Sequence, residues 1–181
     1  MSNSSMQLER SLYRSSTLSV AVVMTGGTIA KSYNPAKARL YNFETKVRDI
    51  IASLRTDDLH FDYCDLMHRD SLDIGPLERR AIVDAVAKAA ELHDAVLVTH
   101  GTDSMAETGE ELCRTIGRPD VPVVFTGAMI PGTIAGSDAV QNVTEALLAL
   151  RLLPPGAYVV FHNRILALPG ASKDHNRLTF Y

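Results

Sequence analysis

Val20-Ala21-Val22-Val23-Met24 runs into Thr25-Gly26-Gly27-Thr28-Ile29-Ala30, and further along Ala95-Val96-Leu97-Val98 runs into Thr99-His100-Gly101-Thr102-Asp103. Apolar runs of this length without polar alternation suit strands covered on both faces, the condition of a parallel sheet packed between helices. In open α/β sheets the residues just past the carboxyl ends of such strands line the ligand crevice. Thr28 and Thr102, seventy-four positions apart, are therefore expected to face one crevice from two strands.

The rest of the chain extends this alternation. A polar stretch from Lys31 to Asn42, with Asn34-Pro35 and no periodicity, reads as an exposed mobile loop. Val47, Ile50, Ile51 and Leu54 recur at helical spacing. Leu59 to Tyr63 alternates apolar and polar residues and suits an outer strand. Gly75-Pro76 opens a helix with Ile82, Val86 and Ala89 on one stripe, ending near His93. After the Ala95 strand, a helix from about Ser104 to Ile116 turns Met105, Leu112 and Ile116 inward, and Gly117 closes it. Val121 to Phe125 forms the next strand. Ser137 is the expected N-cap of a helix burying Val140, Val143, Leu147 and Leu150, ended by Pro154-Pro155-Gly156. A last strand covers Ala157 to Phe161, and a polar tail follows from Ser172. Regular β-α alternation predicts a three-layer αβα domain around a mostly parallel, doubly wound sheet, with strand order 2-1-3-4-5. Residues 1–18, rich in serine and without an apolar core, read as a weakly ordered segment ahead of one domain at 19–181.

Composition narrows the function. A hydrophobic fraction of 46% with 22% charged residues fits an ordinary soluble globular protein. The formal net charge of −3 offers no footprint for nucleic acid. No apolar stretch approaches the ~20 residues of a membrane helix. Cys64 and Cys113 lack metal-ligand spacing and read as reduced core thiols. With no secretory signal and unpaired cysteines, a cytoplasmic location is expected.

The glycine turn before Thr28 allows close backbone approach to a small anionic or carbonyl ligand. It matches neither the Walker pattern nor Gly-x-Gly-x-x-Gly, so it gives little support to nucleotide binding. Asp103 suits either a helix start or a substrate ammonium. A threonine hydroxyl needs a base to become a nucleophile. Lys173 and Tyr33 are the candidates, although either residue taken alone reads more simply as a surface side chain. A lysine serves only if desolvation or a nearby positive charge releases its proton.

Four segments together resemble the bacterial-type L-asparaginases: Thr25 to Ala30; Thr99 to Met105 with Glu107-Thr108; Pro122 to Pro131; and Ser137-Asp138-Ala139-x-x-Asn142. The similarity runs from about Val20 to Lys173, the family's amino-terminal domain, which is flavodoxin-like. It implies hydrolysis of L-asparagine to L-aspartate and ammonia without metal or cofactor. By resemblance, Thr28 is the nucleophile that forms an acyl-enzyme. Thr102 pairs with Lys173 to activate water or relay a proton. Tyr33 corresponds to the lid tyrosine assisting Thr28, with Tyr41 the other candidate. Ser71 binds the substrate α-carboxylate and Asp103 its α-amino group. Backbone groups near Gly101 and Ala128 hold the scissile amide.

Two departures stand out. Leu72 occupies a position where long asparaginases carry a glutamine, and the chain stops at Tyr181, before a second domain. It reads as a natural short form, the alternative being a fragment, and as a homo-oligomer with its tail Arg177 to Tyr181 docked on a partner copy. Weaker substrate affinity than in the long enzymes is expected. The competing functions are a glutaminase or amidotransferase component, a non-catalytic amino-acid-binding module, and a nucleotide-binding flavodoxin-like domain.

Overall fold

β1 (Leu18–Gly26) is buried along its length except at Ser19, which is partly exposed. A strand with that profile must have neighbours on both edges and cover on both faces, and it has all four. The computed structural model describes residues 17–181 apart from 37, 43 and 44. Residues 1–16 of the expected weakly ordered segment lie outside the described residues, and Leu18 already belongs to β1. β4 (Leu59–Arg69) pairs with β1 in parallel, Leu18 opposite Leu59. On the other side lies β5 (Ala95–Thr99), Met24 opposite Thr99. Then come β6 (Pro122–Thr126), β7 (Gly156–Phe161) and an antiparallel edge strand, β8 (Arg164–Ala167). The order β4-β1-β5-β6-β7-β8 is the expected 2-1-3-4-5 with one strand added. β4 is longer than its alternation suggests and forms the other edge.

Successive side chains of a strand point to opposite faces, so the sheet divides the core in two. Val20, Val22, Met24, Leu97 and Val124 face α1 (Thr45–Ala52) and α4 (Ala139–Leu152). Ala21, Val23, Val96, Val98 and Phe125 face α2 (Pro76–Leu92) and α3 (Met105–Ile116). The layers are those of an αβα sandwich. Pro76 opens α2, where a missing N–H costs nothing, and Glu78 accepts the Gly75 N–H at 3.1 Å. Gly117, at φ 71°, closes α3. Among the described residues no helix is long and apolar enough to cross a membrane.

Several expectations are corrected. Lys31 to Asn42 is largely an antiparallel ribbon, β2 (Lys31–Asn34) and β3 (Arg39–Asn42), rather than a structureless loop. Ile116 and Val140 are 36% and 47% exposed: Ile116 is the last residue of α3, and Val140 shares the outward stripe of α4 with Thr144 and Leu148. Leu54 is partly buried but follows the end of α1. The N-cap position of α4 is Asp138, while the Ser137 hydroxyl accepts the Ala139 N–H. Cys64 is exposed on the edge strand and Cys113 half-buried on α3, so neither is a core thiol, and they are not bonded to each other. The tail forms a second small ribbon, β9 (Lys173–Asp174) with β10 (Thr179–Phe180). Phe180 docks into this chain's own core, fully buried and edge-on to Phe161 at 5.1 Å. Burying such a ring stabilises by about 1.5–3 kcal/mol, which explains why the tail folds back.

Candidate active site

The carboxyl ends of β1, β5 and β6 lie side by side, and each carries a threonine at or next to its last position: Thr25, Thr99 and Thr126. All three are fully buried. Thr25 Oγ1 donates to the Thr99 carbonyl at 3.0 Å and Thr126 Oγ1 to the Val160 carbonyl at 2.8 Å. These two side chains fasten neighbouring strands. The candidate site residues lie just beyond them.

Beyond β1 the chain turns through Gly27 at φ 80° and enters a single 3-10 turn, Thr28 to Ala30. Thr28 is half-buried. Beyond β5, Gly101 leads to Thr102, which is buried, and to Asp103. The two loops touch through backbone. A Cβ on Gly27 would lie 2.4 Å from Gly101 Cα, and one on Gly101 would lie 2.5 Å from Ser71 Cβ. No side chain larger than hydrogen fits at either place. Since Met24 pairs with Thr99, this approach sets Thr28 beside the loop that carries Thr102.

Four predicted residues meet in one hydrogen-bonded cluster. Lys173 Nζ donates to Thr102 Oγ1 at 2.8 Å and to Asp103 Oδ1 at 2.6 Å. Ser71 Oγ donates to Asp103 Oδ2 at 2.9 Å, and the Asp103 N–H reaches Ser71 Oγ at 3.3 Å. β9 delivers the lysine, whose side chain is only 10% exposed. Burial alone would raise the Asp103 carboxyl, but hydrogen bonds from Lys173 and Ser71 and the charges of Lys173 and His175 hold it below the usual carboxylate range. Asp103 is thus ionised and already partnered. Because the lysine gives a proton to Thr102 Oγ1, the threonine's own hydroxyl hydrogen is free to point elsewhere.

Thr28 follows Gly27, whose backbone meets that of Gly101, the residue before Thr102, and Ala128 is fully buried just after β6. Tyr33 stands outside the cluster, 58% exposed on the β2–β3 ribbon. Tyr33 pairs with Leu40 and Tyr41 with Ser32, so the two tyrosines lie on opposite faces of the ribbon. Only one can face the crevice at a time. Tyr41 accepts a hydrogen bond from Arg39 Nε, and the guanidinium stacks 4.4 Å from its ring centre.

Supporting residues brace this cluster from behind. Ser104 Oγ donates to the Ser71 carbonyl at 2.6 Å, fixing the serine from behind. His100 is fully buried and bridges the Gly101 carbonyl, 2.8 Å from Nδ1, to Thr108 Oγ1, 3.0 Å from Nε2. A carbonyl only accepts, so Nδ1 carries the proton, and the single Thr108 hydroxyl hydrogen lies between two acceptors, His100 Nε2 and the Ser104 carbonyl at 3.1 Å. Burial lowers the His100 pKa to about 4; the Gly101 carbonyl opposes this and Arg79 adds to it. The ring is neutral at pH 7. Ser104 and Thr108 lie inside the resembling motifs, but no hydropathy pattern marks them as partners of Ser71 and His100. Among the described residues no group of three or more His, Cys, Asp or Glu side chains is arranged to hold a metal.

A parallel sheet with a threonine–lysine–aspartate cluster past its central strands defines the class of this domain, and comparison with known proteins specifies it. Residues 19–179 match the family model described as Asparaginase, N-terminal. The chain belongs to that family. It is 33% identical over 159 residues to the L-asparaginase of Thermococcus kodakarensis, covering 88% of this chain and 48% of that protein. The solved structure of the thermostable L-asparaginase from that organism superposes with a TM-score of 0.82 at 32% identity, over 90% of this chain and 50% of the other. A glutamyl-tRNA(Gln) amidotransferase component of Thermoplasma acidophilum is 30% identical over 139 residues, 71% of this chain and 31% of that protein. The chain spans about half the length of the L-asparaginase relative it matches.

Proposed function

We propose that this domain hydrolyses the side-chain amide of L-asparagine, giving L-aspartate and ammonia. The observation that carries the reading is the Lys173–Thr102–Asp103–Ser71 cluster beside the Thr28 turn. The Thr28 hydroxyl attacks the amide carbon, its proton passes to the leaving nitrogen, and ammonia departs from an aspartyl ester. Water activated through Thr102 and Lys173 then cleaves that ester and returns the proton to Thr28. Backbone groups at Gly101 and Ala128 polarise the carbonyl as charge develops on its oxygen. Either Tyr33 or Tyr41 assists Thr28 when the ribbon folds over the crevice.

Ser71 takes the α-carboxylate and Asp103 the α-ammonium. In the ligand-free arrangement Asp103 is held by Lys173 at 2.6 Å. The arriving ammonium therefore competes for that carboxylate and shifts Lys173 toward Thr102. Binding and activation are coupled through one aspartate.

The similarity to an amidotransferase component keeps a second amide within the reading. One methylene in a pocket discriminates by only about 1–3 kcal/mol, so glutamine is the natural comparison. The test is steady-state ammonia release from L-asparagine, L-glutamine and their D-isomers. Turnover highest on L-asparagine and lost in Thr102→Ala is expected. Equal turnover in Thr102→Ala and the parent would refute the threonine mechanism.

A further inference from the structure

The wall that carries Ala128 is held by a polar clamp lying outside the cluster. Asp138, at the start of α4, accepts the Met129 N–H at 3.0 Å and the Ile130 N–H at 3.0 Å. Asn142, one turn on and fully buried, donates Nδ2 to both the Gly127 carbonyl and Asp138 Oδ2 at 2.9 Å. His162 closes the circuit from the end of β7. Its backbone N–H reaches Asn142 Oδ1 at 3.1 Å, and its Nε2 lies 2.9 Å from Asp138 Oδ2. An ionised carboxylate only accepts, so His162 bears its proton on Nε2. His162 itself sits at φ 47°, in the left-handed region that histidine enters more readily than most side chains.

We propose that His162 is a positioning residue for the active-site wall: it pins the Asp138 carboxylate so that the 127–130 backbone stays where the scissile amide is bound. The inference rests on the amidohydrolase reading for its kinetic consequence only. Asp138 Oδ2 receives N–H groups from Met129, Asn142 and His162, which arrive from the wall, α4 and β7. Removing the histidine takes one of three donors from Asp138 Oδ2, so the carboxylate is held only by Asn142 and by the wall amides that it is meant to fix. A backbone donor displaced by about 1 Å can cost up to about 100-fold in rate, whereas ground-state contacts at Ser71 and Asp103 are untouched. The effect therefore falls on kcat rather than KM.

The test compares the parent with His162→Ala, with His162→Ser as a second truncation, and with His162→Gln, whose amide nitrogen can take the place of Nε2. Two quantities are read: ammonia release from L-asparagine, and hydrogen exchange of the Met129 and Ile130 amides. In the truncated variants kcat is expected to fall about tenfold with KM within about twofold. Exchange at Met129 and Ile130 should accelerate by a similar factor, and the glutamine variant should recover both. Parent-like exchange in the truncated variants overturns the proposal, and so does a glutamine variant as impaired as the alanine one. A parent that releases no ammonia overturns the amidohydrolase reading instead, while the exchange measurement still decides the role of His162.

Discussion

Lys173 Nζ lies 2.8 Å from Thr102 Oγ1, seventy-one positions earlier in the chain, and the same ammonium grips the next residue, Asp103, at 2.6 Å. One cation thus governs two neighbouring side chains of different purpose. Replacing it by Lys173→Met removes both bonds at once. Turnover should drop by about 10²- to 10⁴-fold, the range of a lost proton-transfer partner, while far-ultraviolet circular dichroism stays unchanged. Retained turnover would exclude Lys173 from the chemistry.

Thr28 contributes little to the architecture, being half-buried on a short turn. Thr28→Ala should therefore leave the unfolding free energy within about 0.5 kcal/mol of the parent. It should also abolish any aspartyl ester trapped by acid quench and detected by mass spectrometry. An ester that persists in the variant would assign the nucleophile elsewhere.

Gly101→Ala forces a methyl group to within 2.5 Å of Ser71 Cβ. Overpacking of this kind costs about 1–3 kcal/mol. We expect a lowered denaturation midpoint together with a raised KM, since Ser71 must move. A midpoint and KM both equal to the parent's would mean that the loops separate freely.

His100 makes acid stability measurable. Its folded-state pKa is about 4 against an ordinary value of 6.5, so the unfolded chain binds the proton more readily. The neutral ring's contribution is fully present above pH 6.5 and is lost as pH falls from there toward 4. Integrated over that window the loss is about 3 kcal/mol. Denaturant titrations at pH 7 and pH 4.5 should show most of it, and His100→Gln should show a smaller difference. Asp103 and Asp138, both held below the ordinary carboxylate value, add their losses only at still lower pH.

Leu72 follows Ser71 and is 84% exposed, at the position where the family resemblance implies a glutamine. Leu72→Gln should restore one polar contact to the substrate, worth about 0.5–1.5 kcal/mol. KM should fall about two- to tenfold with kcat unchanged, and thermal stability should not move. A rise in KM would place this position away from the ligand.

The parts of the molecule legible in the sequence are those where hydropathy and geometry coincide. β1, β5, β6 and β7 are buried on both faces, so their apolar runs announce them, and the strand order follows from connection rules. The ribbon of β2 and β3 escapes detection because Lys31-Ser32-Tyr33-Asn34 is partly exposed or exposed throughout, leaving no alternation to find. β8 escapes likewise, since Arg164, Ile165 and Ala167 are not buried in any regular alternation. Thr102, Asp103, Ser71 and Lys173 are marked by motif resemblance, and their meeting is visible only in three dimensions. His100, Ser104 and His162 are out of reach for a different reason. Each has at least one bond that involves a backbone atom, and such bonds leave no trace in a residue pattern.

The vacant Cβ positions of Gly27 and Gly101 have a consequence for altering this protein. Mutagenesis usually tunes a crevice by adding atoms to its lining, yet here Gly27 meets Gly101 and Gly101 meets Ser71 at two places where no atom can be added. Libraries aimed at a wider or more selective crevice should therefore leave both glycines fixed and draw their diversity from the outward rim, where Leu72 already stands in water.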